Sequence, residues 1–230
     1  FLGGTVTEPE TGEDKAMFVG HYSAALAAAA HPKSPKLGTL FVAAQLIDFG
    51  FFGLLLTGAE RMRLVPGFTA MNPMDLYHMP LTHSLLGSLV WAAALGLLVF
   101  LWQKSRPAAT IAAAVVVSHW LLDLLLHAPD LPLWGSPPKL GLGLWNHPQI
   151  EMPLEIGLLL GGVWLYARAT RGAAWPLAIL LVALLGLQAF NWFGPPAERV
   201  DLAFSLLAFV GYGIAAVLAW WVARGRVRAD

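Results

Sequence analysis

The chain has 230 residues, 57% of them hydrophobic and only 12% charged, with a formal net charge of zero and no cysteine. So little polar surface cannot cover a water-soluble globule of this size, and lipid must be the solvent for most of it. The missing thiols exclude disulfides, thiolate zinc sites and a cysteine nucleophile, and the lack of a basic block beyond the alternating Arg224, Arg226 and Arg228 argues against nucleic acid as a partner.

Residues 1–16 (FLGGTVTEPETGEDKA) are polar and acidic and lack the charged-then-apolar order of a signal peptide. They are expected to form a tail that is processed or packs on a protein partner. Apolar segments follow at 17–31, 37–58, 82–103, 108–127, 152–168, 174–193 and 201–223. Most approach the ~20 residues a helix needs to cross ~30 Å of hydrocarbon. Backbone groups in lipid must be paired internally, and these runs lack the alternation of barrel strands. The pattern predicts an all-α, polytopic transmembrane bundle of about seven helices, the first short, forming a single domain over 17–230.

Orientation follows from lysine and arginine. If 17–31 spans, Lys33, Lys36, Lys104, Arg106, Arg168, Arg171, Arg224, Arg226 and Arg228 share one side, against Lys15, Arg61, Arg63, Lys139 and Arg199 on the other. This asymmetry predicts a cytoplasmic C-terminus, an N-terminus outside, and loops 59–81 and 128–150 on the outer side of the membrane.

Ionisable groups within spanning segments cost a few kcal/mol each on insertion scales, so each needs a partner or a purpose. In VVVSHWLLDLLLHAPD, His119, Asp123 and His127 stand at i, i+4 and i+8 on one helix face. Asp48 is isolated in LFVAAQLIDFGFFGLLL, His83 follows MPLT, His21 lies in MFVGHYSAAL, and His147 and Glu151 form a second i, i+4 pair. At ~1.5 Å of rise per residue these groups fall in the outer half of the membrane, where five helices can aim them into one cavity. Imidazole and carboxylate suit zinc and similar cations, and this many groups suffice for two or three ions sharing a bridging carboxylate.

Blander assignments stand beside these. Asp48 alone is equally an interhelical hydrogen bond. His147 and Glu151 lie where Pro148 and Pro153 mark a helix start, so they serve as well as a cap and a first-turn acid. Glu155, one turn on, is an alternative to Glu151. Asp130 either ends its helix or supports a histidine from behind. His31 and His78 fall in turns and are expected to be solvated.

The order His21, Asp48, His83, His119-x-x-x-Asp123, His127, His147-x-x-x-Glu151 resembles the ligand series of the zinc-dependent phospholipases C and related single-strand nucleases. THS, SHWLLD and the Gly-His of the first helix also resemble bacterial inner-membrane proteins called membrane-bound metal-dependent hydrolases. The match covers about residues 17–155. The resemblance implies an all-helical zinc enzyme in which His83, His119, Asp123 and Asp48 hold one ion and Asp123 bridges to a second on His21. It further implies that His127, His147 and Glu151 hold a third. The soluble enzymes also use their terminal amino group near His21, and here the chain extends about twenty residues further. Helices 174–193 and 201–223 have no counterpart and are expected to serve anchoring or assembly.

The function expected is a metal-dependent phosphoesterase acting on a lipid or lipid-linked phosphate, with Asp48 as ligand or base and zinc or another divalent metal as cofactor. Two rivals remain: a transporter moving ions on the same buried groups, and a non-catalytic subunit of a larger membrane assembly.

Overall fold

The computed structural model describes residues 19–135 and 137–229, so the tail expected at 1–16 lies outside the described residues. Eight α-helices occur among them: α1 (Tyr22–Ala29), α2 (Leu37–Ala44), α3 (Leu46–Thr57), α4 (Leu85–Gln103), α5 (Arg106–Leu126), α6 (Pro148–Ala169), α7 (Trp175–Phe193) and α8 (Leu202–Arg224). Only α4 to α8 are each long and apolar enough to cross a membrane. Their surfaces agree with that assignment: Val90, Leu98 and Trp102 of α4 are 61%, 63% and 72% exposed, an apolar face that water does not tolerate at this extent.

The first two apolar segments differ from the seven-helix expectation. Behind a 3-10 turn at Val19–His21, α1 has eight residues, about 12 Å at 1.5 Å each, too short to span. The run 37–58 is broken between α2 and α3, which diverge by 50°. Taken as one bent span, they make a sixth crossing. The carbonyl of Ala44, the last residue of α2, accepts a hydrogen bond from His119 Nδ1 at 2.7 Å, so the break gives a helix-end carbonyl a partner on another helix.

Small residues set the closest helix contacts, as expected where lipid removes the hydrophobic drive for association. A Cβ at Gly162 of α6 would stand 3.0 Å from Ser23 Cα of α1. One at Gly38 of α2 would stand 2.2 Å from the Trp220 ring of α8. One apolar core joins residues of α1, α2, α5, α6, α7 and α8, including Leu26, Leu40, Val116, Leu159, Leu180 and Ala215. The last two helices are therefore built into the same body as the rest.

The expected outer loops carry short antiparallel ribbons: β1 (Arg61–Leu64) with β2 (Met74–His78), and β3 (Leu131–Pro132) with β4 (Lys139–Leu140). A third ribbon, β5 (Thr170–Gly172) with β6 (Arg226–Arg228), ties the end of α6 to the chain beyond α8. Arg226 donates to the carbonyls of Thr170 and Ala173, and Arg228 to those of Pro32 and Ser34. These arginines satisfy carbonyls left over at helix ends while gathering the basic turns at one end of the bundle.

Candidate metal centre

At the other end of α2 and well along α5, four imidazoles converge on one carboxylate. Asp123 Oδ1 lies 3.0 Å from His21 Nε2 and 3.6 Å from His127 Nε2. Its Oδ2 lies 3.1 Å from His119 Nε2 and 3.7 Å from His83 Nε2. Asp48 Oδ1 reaches the second pair, 3.3 Å from His83 Nε2 and 3.5 Å from His119 Nε2. The ligand atoms of Asp48, His83 and His119 all lie within 4.8 Å of one another, as do those of His21, His119 and Asp123. These are buried His/Asp clusters of the size and composition that hold a metal ion.

Each element delivers its residue for a local reason. The helical period of α5 stacks His119 above Asp123, and His127 caps its end. The break after α2 puts Asp48 in the first turn of α3, where the helix N-terminus favours a negative charge. His83 precedes the N-cap of α4, whose Ser84 Oγ accepts from the Gly87 amide at 2.8 Å. That turn is bolted in place by Trp91 Nε1 donating to the Leu81 carbonyl and Trp120 Nε1 to the His83 carbonyl. His21 ends the 3-10 turn, whose Val19 and Gly20 amides donate to Gln188 Oε1 and Glu155 Oε1.

The hydrogen bonds behind the imidazoles fix their tautomers. His119 Nδ1 can only donate to the Ala44 carbonyl, which leaves Nε2 with a lone pair. His127 Nδ1 meets Asp130 Oδ1 at 2.9 Å, with the same result. His83 Nδ1 meets Thr82 Oγ1 at 2.9 Å, and that hydroxyl already donates to Glu60 Oε2 at 2.6 Å, so it accepts from the ring. In neutral rings three Nε2 lone pairs would therefore face carboxylate oxygens, acceptor against acceptor, a conflict that a cation or ring protonation resolves. His119 Nε2 and Asp123 Oδ2 are both buried and, although 3.1 Å apart, neither makes a hydrogen bond. Two buried polar atoms this close and without a hydrogen bond are the arrangement that a cation between them would satisfy.

Of the eight residues expected as ligands, the fold thus brings together His21, Asp48, His83, His119, Asp123 and His127. It does not bring His147 to them: that residue is exposed at the start of α6, where Pro148 begins the helix. Glu151 is fully buried on the next turn and belongs to neither cluster. His127 faces Asp123 and stacks on Trp145 at 4.1 Å, so its company differs from the third set that the resemblance implies. Asp130 takes the supporting role behind a histidine. Glu155 is tied to the Gly20 amide, and His31 and His78 are exposed.

Three participants escaped sequence reasoning. Tyr212 of α8 donates its hydroxyl to Asp48 Oδ2 at 3.1 Å, which gives the supposed anchoring helix a place at the centre. Thr82 and Glu60 act from behind His83. Glu60 is fully buried and accepts from the Leu81 and Thr82 amides and the Thr82 hydroxyl. A carboxylate so deeply buried in a loop full of turn residues has no sequence signature, although an acid two residues after a helix-ending Gly58 is a cue worth checking. In Glu60→Gln the Thr82 hydroxyl loses its acceptor and is free to donate to His83 Nδ1, which moves the ring proton to Nε2. Metal affinity, measured by competition with a chromogenic chelator, is expected to fall about 10- to 100-fold. Affinity within twofold of the parent would show that this chain of bonds does not set the His83 tautomer.

A cavity of about 500 Å³ opens on the cluster, with His21, Asp48, His83, Asp123 and His127 at its polar end. The fold and the site together define a helical membrane protein with a buried His/Asp centre suited to a metal ion. No protein-family profile, curated protein or solved structure matches the chain.

Proposed function

We propose that the protein is a membrane-embedded, metal-dependent hydrolase, a phosphoesterase acting on a lipid or lipid-linked phosphate. The observation that carries this reading is the convergence of four imidazoles on Asp123, three of them with Nε2 lone pairs fixed from behind. His83, His119 and Asp48, with Asp123, would hold one cation, and His21 and His127, with Asp123 between the two sets, would hold a second. His147 and Glu151 are left outside this pair. Zinc fits the donor set, as do other divalent ions that accept imidazole and carboxylate. When bound, such ions acidify water and neutralise phosphoryl oxygens.

The chain's own groups do the rest. Asp48 is the least buried of the acids here, its side chain 20% exposed to the cavity, so it is the carboxylate placed to take a proton from an incoming water. Tyr212 holds it through Oδ2, which leaves Oδ1 toward the cations. Phe51 and Phe52 line the cavity and keep bulk water from the reacting phosphate. The basic turns at the far end of the bundle support a cytoplasmic position for that end, with the centre then in the outer half of a bacterial inner membrane.

Protein purified in detergent without chelators is expected to carry two equivalents of zinc or another divalent metal by elemental analysis and to hydrolyse p-nitrophenyl phosphate or phosphatidic acid. Metal below one half equivalent, with no hydrolysis after divalent ions are added back, rejects the proposal. Ion flux into liposomes that survives metal removal would favour the transporter reading instead.

A further inference from the structure

The same cavity has a second end that the cation cluster does not use. Leu187 and Phe190 of α7 and Leu207 and Val210 of α8 line it, so this part of the cavity is bordered by both helices. Elsewhere the pair is closed: Trp175 of α7 and Trp221 of α8 meet edge to face with centroids 5.2 Å apart. Beside the cluster, both helices border the cavity. Phe190, Leu207 and Val210 are 51%, 55% and 56% exposed, on helices whose length and composition suit a membrane crossing. The cavity's outer end therefore opens onto acyl chains, while its inner end presents His83, Asp48 and Asp123.

We propose that the gap between α7 and α8 is a lateral binding site for one hydrocarbon chain of a phosphate-bearing lipid, whose headgroup thereby reaches the cation cluster sideways from the bilayer. The inference deepens the phosphoesterase reading and, for its headgroup end, rests on it. Two observations select this occupant. An apolar channel gains nothing from water, which needs polar partners to stay. Apart from Asn72, Asn191 and Tyr212, its polar lining is built of ligands for cations, which attract an anion, so an occupant that satisfies both parts has an anionic head and an apolar tail. The volume, about 500 Å³, is in the range of pockets that take small molecules. Substrate reaches the centre from within the membrane, with the cluster selecting the anionic headgroup and the residues between α7 and α8 holding its chain.

The test uses the full chain in phosphatidylcholine nanodiscs with a trace of phosphatidic acid bearing a diazirine near the end of one acyl chain. After photolysis, adducts are expected to concentrate on 187–191 and 204–214, at least fivefold above the bilayer-facing Val90, Leu97 and Leu98 of α4. Excess unlabelled phosphatidic acid is expected to remove that excess, and Val210→Trp to abolish it. Phosphatidylcholine carrying the same diazirine is expected to label α4 and the α7–α8 pair alike. Phosphatidic acid labelling of α7 and α8 no stronger than that of α4 overturns the inference, as does an excess that unlabelled phosphatidic acid leaves in place. The two readings separate in the same preparation. Hydrolysis of p-nitrophenyl phosphate with uniform labelling keeps the phosphoesterase and removes the lateral site. Concentrated, competed labelling with no hydrolysis of any phosphoester keeps the lateral site and removes the enzyme.

Discussion

Asp123→Asn is expected to lose at least one equivalent of bound metal and to lower phosphoester hydrolysis on the order of 10³-fold. Among the described residues, Asp123 is the one carboxylate with an oxygen within 3.7 Å of all four imidazoles of the centre. Cations held here would stabilise transition-state charge by several kcal/mol, and each 1.36 kcal/mol is a factor of ten in rate. The amide is neutral and offers one oxygen in place of two, so it cannot bridge. Folding stability is expected to fall as well, by about 3 kcal/mol, because removing one partner from a buried charged group strands the others. Elemental analysis, turnover and thermal unfolding of the variant check the three parts separately. A variant that keeps its full metal content and more than a tenth of the activity would show that the cations do not sit on this carboxylate.

Chelation is expected to remove essentially all hydrolysis and to lower the unfolding midpoint, and added zinc or manganese to restore both. The reason is the same acceptor-against-acceptor arrangement. With no cation, the Nε2 lone pairs of His83, His119 and His127 face the oxygens of Asp48 and Asp123. A ligand present at 100 times its Kd contributes about 2.7 kcal/mol to the folded state, so two ions have a large effect on a domain of ordinary stability. The chain's ten tryptophans make intrinsic fluorescence a convenient readout. A midpoint that does not move on chelation, with metal verified as gone, would mean that protons rather than cations settle the cluster.

Much of the centre is legible in the sequence because charge in an apolar run is conspicuous. His119, Asp123 and His127 could be placed on one face from spacing alone, since the helical period leaves no other arrangement. Asp48, His83 and His21 stood out because lipid makes each of them costly. His147 was equally visible and yet lies exposed, because Pro148 starts α6 there and Trp145 is the residue of the preceding turn that packs inward. The supporting groups were hidden for the opposite reason: a threonine in a loop, a glutamate after a helix end and a backbone carbonyl are ordinary features until an imidazole lies against them. Tyr212 was hidden because an aromatic residue in a spanning helix looks like lipid-facing bulk.

What the residues determine by themselves is that this chain lives in a membrane as helices and carries costly imidazoles and acids there. Both depend only on local length, hydropathy and charge, quantities that a window of twenty residues contains. The tertiary structure alone decided that 37–58 breaks at Gln45 and frees a carbonyl for His119, that α1 stays too short to cross, and that α8 supplies a hydroxyl to Asp48. It also decided which six of eight candidate ligands meet. Those outcomes turn on distances between segments as many as 164 positions apart, as from Asp48 to Tyr212, and packing, not any local pattern, sets such distances.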